Sequence, residues 1–400
     1  MESVFSAIEK LGPAGLVLRA ILGSLLGIFL LVGFIVLRRW YRARYFRRRS
    51  ERTVALRARW DEIVSGKIPP TDWRFNPLDC DIVESILLDN IEMSAPDGLP
   101  PLLNCLRVSG LLDMLIYEAR TAHSWKQRTA LLALGRTRAR EAIPALVAGL
   151  DSRSAETRIA AIRALGRTAI TEAAIPILDR IVDGQLDAPE RSVKNSLANC
   201  CRSNPEILVR YLEQARGPVR ELLARVLAEL ASPGLGEELL VLAADALPEV
   251  RASAARALGN TNTSYTLPAL HSLANDPEWF VRLRAVVALG EIENVGKIRI
   301  LLRSLCDANR HVRQRAAWVL ARMEPQLEQI LDDVVATNDD YALQSFISEL
   351  ERSGAIENIA GLIAGSGEGS VQTTLREVVE RAKKSVELSG KAVAVAAGAH

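Results

Sequence analysis

Three stretches of this chain are near copies of one another: residues 245–259 (DALPEVRASAARALG), 276–290 (DPEWFVRLRAVVALG) and 307–321 (DANRHVRQRAAWVLA). The arginine after the valine is Arg251, Arg282 and Arg313, a strict step of 31 residues. Carried backward, the step reaches Arg220, Pro189, Arg158 and Gln127; carried forward, it reaches Gln344. Pro189 falls in a locally shuffled copy, residues 188–201. A fixed period of this length constrains the fold more than any local propensity. Each copy is one supersecondary unit, and its apolar face is buried only by stacking on its neighbours.

Within the unit, Val250, Ala254, Ala257 and Leu258 recur at helical spacing and make one apolar stripe. The small alanines allow close helix packing, and Gly259 or its equivalent is expected to stop the helix. A second apolar run lies upstream, as in residues 142–150 (AIPALVAGL), 174–181 (AIPILDRI) and 266–273 (TLPALHSL). A proline near the start of such a run suits a first helical turn, where its missing N–H would be unpaired anyway. The expected fold is all-α: an α-solenoid of stacked helical hairpins, preceded by a single transmembrane helix.

The D-x-x-x-x-V-R-x-x-A-x-x-A-L-G pattern resembles the HEAT-like repeat family, in the short bacterial style also seen in phycobilin lyase subunits. The resemblance covers about residues 125–352. It implies a superhelix whose second helices line the concave side, and an aspartate–arginine ladder between units. Asp245, Asp276 and Asp307 each precede the signature arginine by six residues, and Asp151 precedes Arg158 by seven. A catalytic carboxylate would not recur in every repeat, so these acids are expected to be structural.

The net charge of +2 conceals an asymmetry. Residues 38–60 carry ten arginines against Glu51, a local charge of +9, while residues 1–37 are balanced and residues 61–400 hold −7. The basic collar follows an apolar segment: residues 20–37 are 18 residues without a charge, or 22 from Leu16 if Arg19 reaches the interface. A cleaved signal peptide has its positive charge before the apolar core, whereas here Arg38, Arg39, Arg42, Arg44, Arg47, Arg48 and Arg49 come after it. The positive-inside rule then puts the N-terminus outside and the rest in the cytoplasm, a single-pass protein of the plasma (inner) membrane. Those seven arginines are expected to rest on anionic lipid, with Trp40, Tyr41 and Tyr45 as interfacial anchors. Gly23 and Gly27 form a small-x-x-x-small pair that would let two spans dimerise.

The expected organisation is a tail and transmembrane helix (1–37), a basic juxtamembrane segment (38–60), an irregular helical cap (61–122), repeats (123–352), a C-terminal helical cap (353–389) and a disordered tail (390–400). Catalytic chemistry finds little support. Cys80, Cys105, Cys200, Cys201 and Cys306 lack CxxC spacing and are expected to be buried apolar residues in a reducing compartment. The four histidines are isolated, so no metal site is expected, and no phosphate-cradling loop or nucleophile elbow occurs. No cofactor is expected.

One position stands apart. Five residues after each signature site lie Leu132, Arg163, Lys194, Arg225, Arg256, Val287 and Trp318. Four successive cations on one ridge, then Val287 and Trp318, suggest a groove for an acidic or extended protein segment with Trp318 as anchor. The alternative for the ridge is a solvated face whose charges pair with nearby glutamates. The expected function is a membrane-anchored, non-catalytic scaffold that docks a cytoplasmic protein partner along the concave face. A lyase-type or accessory role on a bound pigment or nucleic acid is the alternative, although sparse aromatics and an acidic body argue against a nucleic-acid partner.

Overall fold

The first described helix, α1 (Pro13–Ala58), runs without a break through both the apolar segment and most of the basic collar. The structure is a computed structural model that describes residues 13–261 and 263–353. The tail expected at 390–400 and the cap expected at 353–389, its first residue apart, lie outside the described residues. The chain divides into two compact units, residues 1–122 and residues from 123 onward.

In the first unit, α1 is followed by α2 (Trp60–Val64), α3 (Thr71–Arg74), α4 (Pro77–Met93), α5 (Leu99–Val108) and α6 (Leu111–Thr121). Helix α4 begins where the Asn76 side chain accepts a hydrogen bond from the Leu78 N–H and Pro77 occupies the first turn. Its buried stripe of Ile82, Val83, Ile86, Leu87 and Ile91 forms the core with Trp73, Leu102, Leu106, Leu111 and Leu115. Gly110 turns the chain between α5 and α6 at φ +71°, and a Cβ there would lie 2.7 Å from the Arg74 guanidinium. The far end of α1 is fixed to this unit: Arg52 reaches the buried Asp79 with both Nε and Nη2, the former at 2.9 Å, and Asn76 donates to the same carboxylate at 3.0 Å. Donating to the Asp79 carboxylate raises the Arg52 pKa.

The second unit alternates short first helices with longer second helices. The first helices are α8 (Ile143–Leu150), α10 (Ile175–Val182), α12 (Glu206–Gln214), α14 (Gly236–Ala243), α16 (Thr266–Leu273), α18 (Lys297–Leu305) and α20 (Leu327–Ala336). The second helices are α7 (Ser124–Arg136), α9 (Ala155–Thr168), α11 (Glu190–Cys200), α13 (Gly217–Leu230), α15 (Pro248–Gly259), α17 (Trp279–Glu291), α19 (Arg310–Leu320) and α21 (Asp340–Ser353). Every second helix packs on the next, and every hairpin except that of α10 with α11 closes on itself, which is the stacking the 31-residue period requires. No strand occurs among the described residues. Pro189, the break in the period, sits just before the first residue of α11, where its lack of an N–H does no harm.

Helix α15 ends at Gly259 as expected, but the repeat glycine is not a general helix stop. None of Gly135, Gly166, Gly259 and Gly290 has the positive φ of a helix-stopping glycine, and three of the helices run on past it. The glycine instead marks where neighbouring second helices approach closest. A Cβ on Gly135 would lie 2.5 Å from the Ala164 carbonyl oxygen, and one on Gly166 2.6 Å from Ser196 Cα. The constraint is interhelical distance, a property a single repeat does not display.

Candidate partner-binding surface

The turn acids and signature arginines build a ladder between consecutive units. Arg251 donates through Nε to Asp276 Oδ2 at 2.6 Å and through Nη2 to Asp276 Oδ1 at 2.9 Å. Arg282 repeats this on Asp307, at 2.6 and 2.9 Å. Arg220 uses Nε and Nη2 on Asp245 Oδ2, at 2.8 and 2.5 Å. Each guanidinium also faces backward: Arg251 Nη1 donates to the Asp245 and Ala246 carbonyls, and Arg282 Nη1 to those of Asp276 and Pro277. The acids in turn accept from backbone N–H groups two residues on, Leu247, Glu278 and Asn309. Burial opposes ionisation of Asp276 and Asp307, but the arginine and backbone hydrogen bonds overcome it and hold both below the usual carboxylate range. The acids are therefore structural.

The ladder is irregular nearer its start. Asp151 is taken by Arg180 of α10 at 3.0 Å, and Arg158 reaches the fully exposed Asp187 only at 3.4 Å. The one-residue shift in the spacing of Asp151 and Arg158 is the visible sign of this exchange.

The ridge residues fall on the second helices in succession. Arg163 is exposed on α9, Lys194 pairs with Glu229 at 2.5 Å, Arg225 with Glu190 at 2.9 Å and Arg256 with Glu229 at 3.8 Å. The glutamates thus interleave with three of the four cations, so the ridge is largely self-compensated. Val287 is half-buried. Trp318 is half-buried too, and two guanidinium groups lie over its ring, with Arg315 Cζ 4.0 Å and Arg322 Cζ 3.8 Å from the centroid.

Trp318 opens onto a groove that the period alone does not reveal. About 760 Å³ in volume, it lies between α19 and α21 and is lined by Arg310, Arg313, Arg315, Trp318, Tyr341 and Arg352, with Glu349 as the single carboxylate among its lining residues. Glu349 is already engaged by Arg352 at 2.6 Å and by Arg322 at 3.5 Å. Arg315 and Arg322 could have been found from their spacing, three before and four after Trp318 on one helical face. Arg352 and Tyr341 belong to the degenerate final copy and carried no signal.

Two expectations about cysteine change. Cys105, Cys200 and Cys201 are buried, but Cys80 is half-buried and Cys306, which follows the last residue of α18, is exposed. Burial pushes Cys200 and Cys201 up to about 12, and Cys200 donates to the Leu165 carbonyl at 3.2 Å, a setting for packing rather than redox chemistry. Among the described residues no group of three histidine, cysteine or acidic side chains comes together to hold a metal.

Helix α1 is the other candidate surface. It is long and apolar enough to cross a membrane, and none of its apolar window is buried. Phe29 is 75% exposed. Arg38, Arg39, Arg42, Arg44, Arg47 and Arg48 are exposed and Arg49 half-buried, none of them in an ion pair among the described residues, and Arg44 lies over the Trp40 ring at 5.6 Å. Gly23 and Gly27 face open space, with nothing within 4 Å of a Cβ added to either.

A family profile of HEAT repeats matches residues 112–198, 236–321 and 267–360, which together span a little over half of the chain. No curated protein matches significantly. Among solved structures, an engineered protein is 21% identical over 76% of this chain and 95% of its own, with a TM-score of 0.33. The complex of CpcE and CpcF of phycocyanin lyase from Nostoc sp. PCC7120 is 23% identical, covering 55% of this chain and 92% of that one, with a TM-score of 0.25. Human deoxyhypusine hydroxylase in complex with glycerol is 18% identical over 69% and 98% of the two chains, with a TM-score of 0.26.

Proposed function

Since the chain belongs to the HEAT-repeat family, we propose that it is a membrane-anchored, non-catalytic scaffold that docks a cytoplasmic protein partner on the face formed by its second helices. The observation that carries this reading is α1. An exposed apolar segment passes in one unbroken helix into a run of arginines, Arg38 to Arg49, that make no ion pair among the described residues, and Arg52 ties that helix to the buried Asp79 of the first unit. The exposed apolar side chains of such a helix call for lipid, and the arginines favour the cytoplasmic leaflet, each contributing about 1 kcal/mol near an anionic surface. The N-terminus then lies outside the inner membrane and the repeats lie in the cytoplasm. Gly23 and Gly27, unobstructed on the span, would allow two copies to approach.

Tethering needs no chemistry to be useful: it raises the effective concentration of a bound partner at the membrane. The docking surface centres on the end of the ridge. There the cations outnumber the acids around Trp318, whereas Lys194, Arg225 and Arg256 are already matched by glutamates. A photo-crosslinking side chain at Gln314, exposed beside the groove, tests the reading in intact membranes, with Val241 on a first helix as the control position. One protein adduct from Gln314 and none from Val241 is expected. Bound pigment or nucleic acid in place of a protein adduct would favour the lyase-type alternative.

A further inference from the structure

The ladder stops one rung short of the last described repeat. Arg251 and Arg282 each hold their own turn through Nη1 and spend the Nε–Nη2 edge on the aspartate 25 residues ahead. Arg313 makes the first half of this arrangement, donating through Nη1 to the carbonyls of Asp307 at 2.7 Å and Ala308 at 3.0 Å. The second half has no counterpart. Twenty-five residues ahead stands Asn338, and the neighbouring acid, Asp339, keeps only the backbone half of a rung: it accepts from the N–H groups of Tyr341 and Ala342 at 2.9 and 3.0 Å but not from Arg313 Nε. Arg313 Nε is buried and has no hydrogen-bond acceptor among the described residues. Buried donors are rarely left so, because the lost hydration is not repaid.

We infer that Arg313 is a carboxylate anchor: an aspartate or glutamate of an acidic, extended segment of the partner protein completes the fourth rung from outside. The inference rests on the docking function proposed above and names the chemistry of the segment that docks. The guanidinium is held in place by its two carbonyl bonds and by the Tyr341 ring, 5.3 Å from its Cζ. Its surroundings select the same ligand. Arg310, Arg315 and Arg352 line the groove, Arg315 Nε is likewise buried without an acceptor, and Glu349, the single lining carboxylate, is already paired. A planar guanidinium fork matches a carboxylate edge to edge. Nucleic acid suits the groove less well: Trp318 is half-buried and two guanidinium groups already lie over its ring, where a base would have to stack, and residues 61–400 carry −7 overall.

The test uses the full chain in detergent and fluorescein-labelled hexaglutamate, with labelled hexaglutamine and a DNA duplex as comparison probes. Hexaglutamate is expected to bind in preference to both, and Arg313→Lys, which keeps the charge but loses the fork, to weaken it about tenfold. Glu349→Gln, which removes the competing carboxylate and disturbs no rung, is expected to tighten binding; it stands in should the Arg313 variants melt early. Equal affinity for hexaglutamine, stronger binding of the duplex, or wild-type affinity in both Arg313→Lys and Glu349→Gln would overturn the inference. Peptide binding is read in solution and does not depend on the tether. Its loss with the Gln314 adduct intact therefore removes only the anchor, while an intact peptide site on a chain that leaves the membrane removes only the scaffold function.

Discussion

Arginine does opposite work in the two parts of this molecule. In the repeats, Arg251 and Arg282 are half-buried, and each is matched by the aspartate of the next unit; the Arg251 side chain is 14% exposed and that of Asp276 6%. On α1 the arginines from Arg38 to Arg48 stand exposed, with no acid opposite them. A charge inside protein demands a partner of fixed geometry, and the period supplies one every 31 residues. On the proposed reading, a charge facing a lipid headgroup finds its partner in the membrane, in keeping with the absence of ion pairs to these arginines among the described residues. The overall net charge of +2 is the near-cancellation of these two designs and describes neither.

The contrast can be broken most severely at the span. Placing aspartates at Phe29 and Leu30 puts two charges in mid-helix, each costing about 3 kcal/mol or more in a bilayer. The chain is expected to leave the membrane fraction while the repeats melt unchanged, as read by fractionation and circular dichroism. On the ladder side, Asp276→Ala strands the Arg251 guanidinium and should lower stability by about 3 kcal/mol in denaturant titration. Asp187→Ala, whose side chain is 99% exposed, should change it by less than about 0.5 kcal/mol. Equal effects would deny that burial separates the two pairs.

Packing between second helices comes next. Gly166→Ala would set a methyl group 2.6 Å from Ser196 Cα and should cost about 1–3 kcal/mol by forcing α9 and α11 apart. The smallest effect is that of pH. Asp276 and Asp307 titrate below their unfolded value near pH 4, so their stabilisation is complete above that value and is lost as the pH falls through the depressed folded values. An Asp276→Asn, Asp307→Asn double variant should therefore lose less of its own stability between pH 5 and pH 2 than the parent chain, measured by thermal melts.

Much of the fold is legible in the sequence. The step from Arg251 to Arg282 to Arg313 points to stacked hairpins, and the resemblance to HEAT-like repeats implies the ladder to which the recurring aspartates belong. What escaped depended on contacts between repeats. The glycine after Ala257 and Leu258 reads as a helix stop in one copy, yet its role is to admit the neighbouring helix. The ridge from Arg163 to Arg256 reads as a row of free cations, because Glu190 and Glu229 stand outside the signature and meet the row only when units stack. The groove at Arg313 escaped because it depends on Asn338 standing where the period calls for an acid, and an absent rung leaves no pattern to recognise.

The account turns on α1 being held by lipid with the repeats behind it. Alkaline carbonate extraction of membranes carrying the full chain, and protease treatment of sealed membranes from the outer side in a parallel sample, test this together. The account predicts that the chain stays in the pellet and that its repeats resist the protease until the inner face is opened. Release of the chain into the carbonate supernatant, or digestion of the repeats from outside, would contradict it.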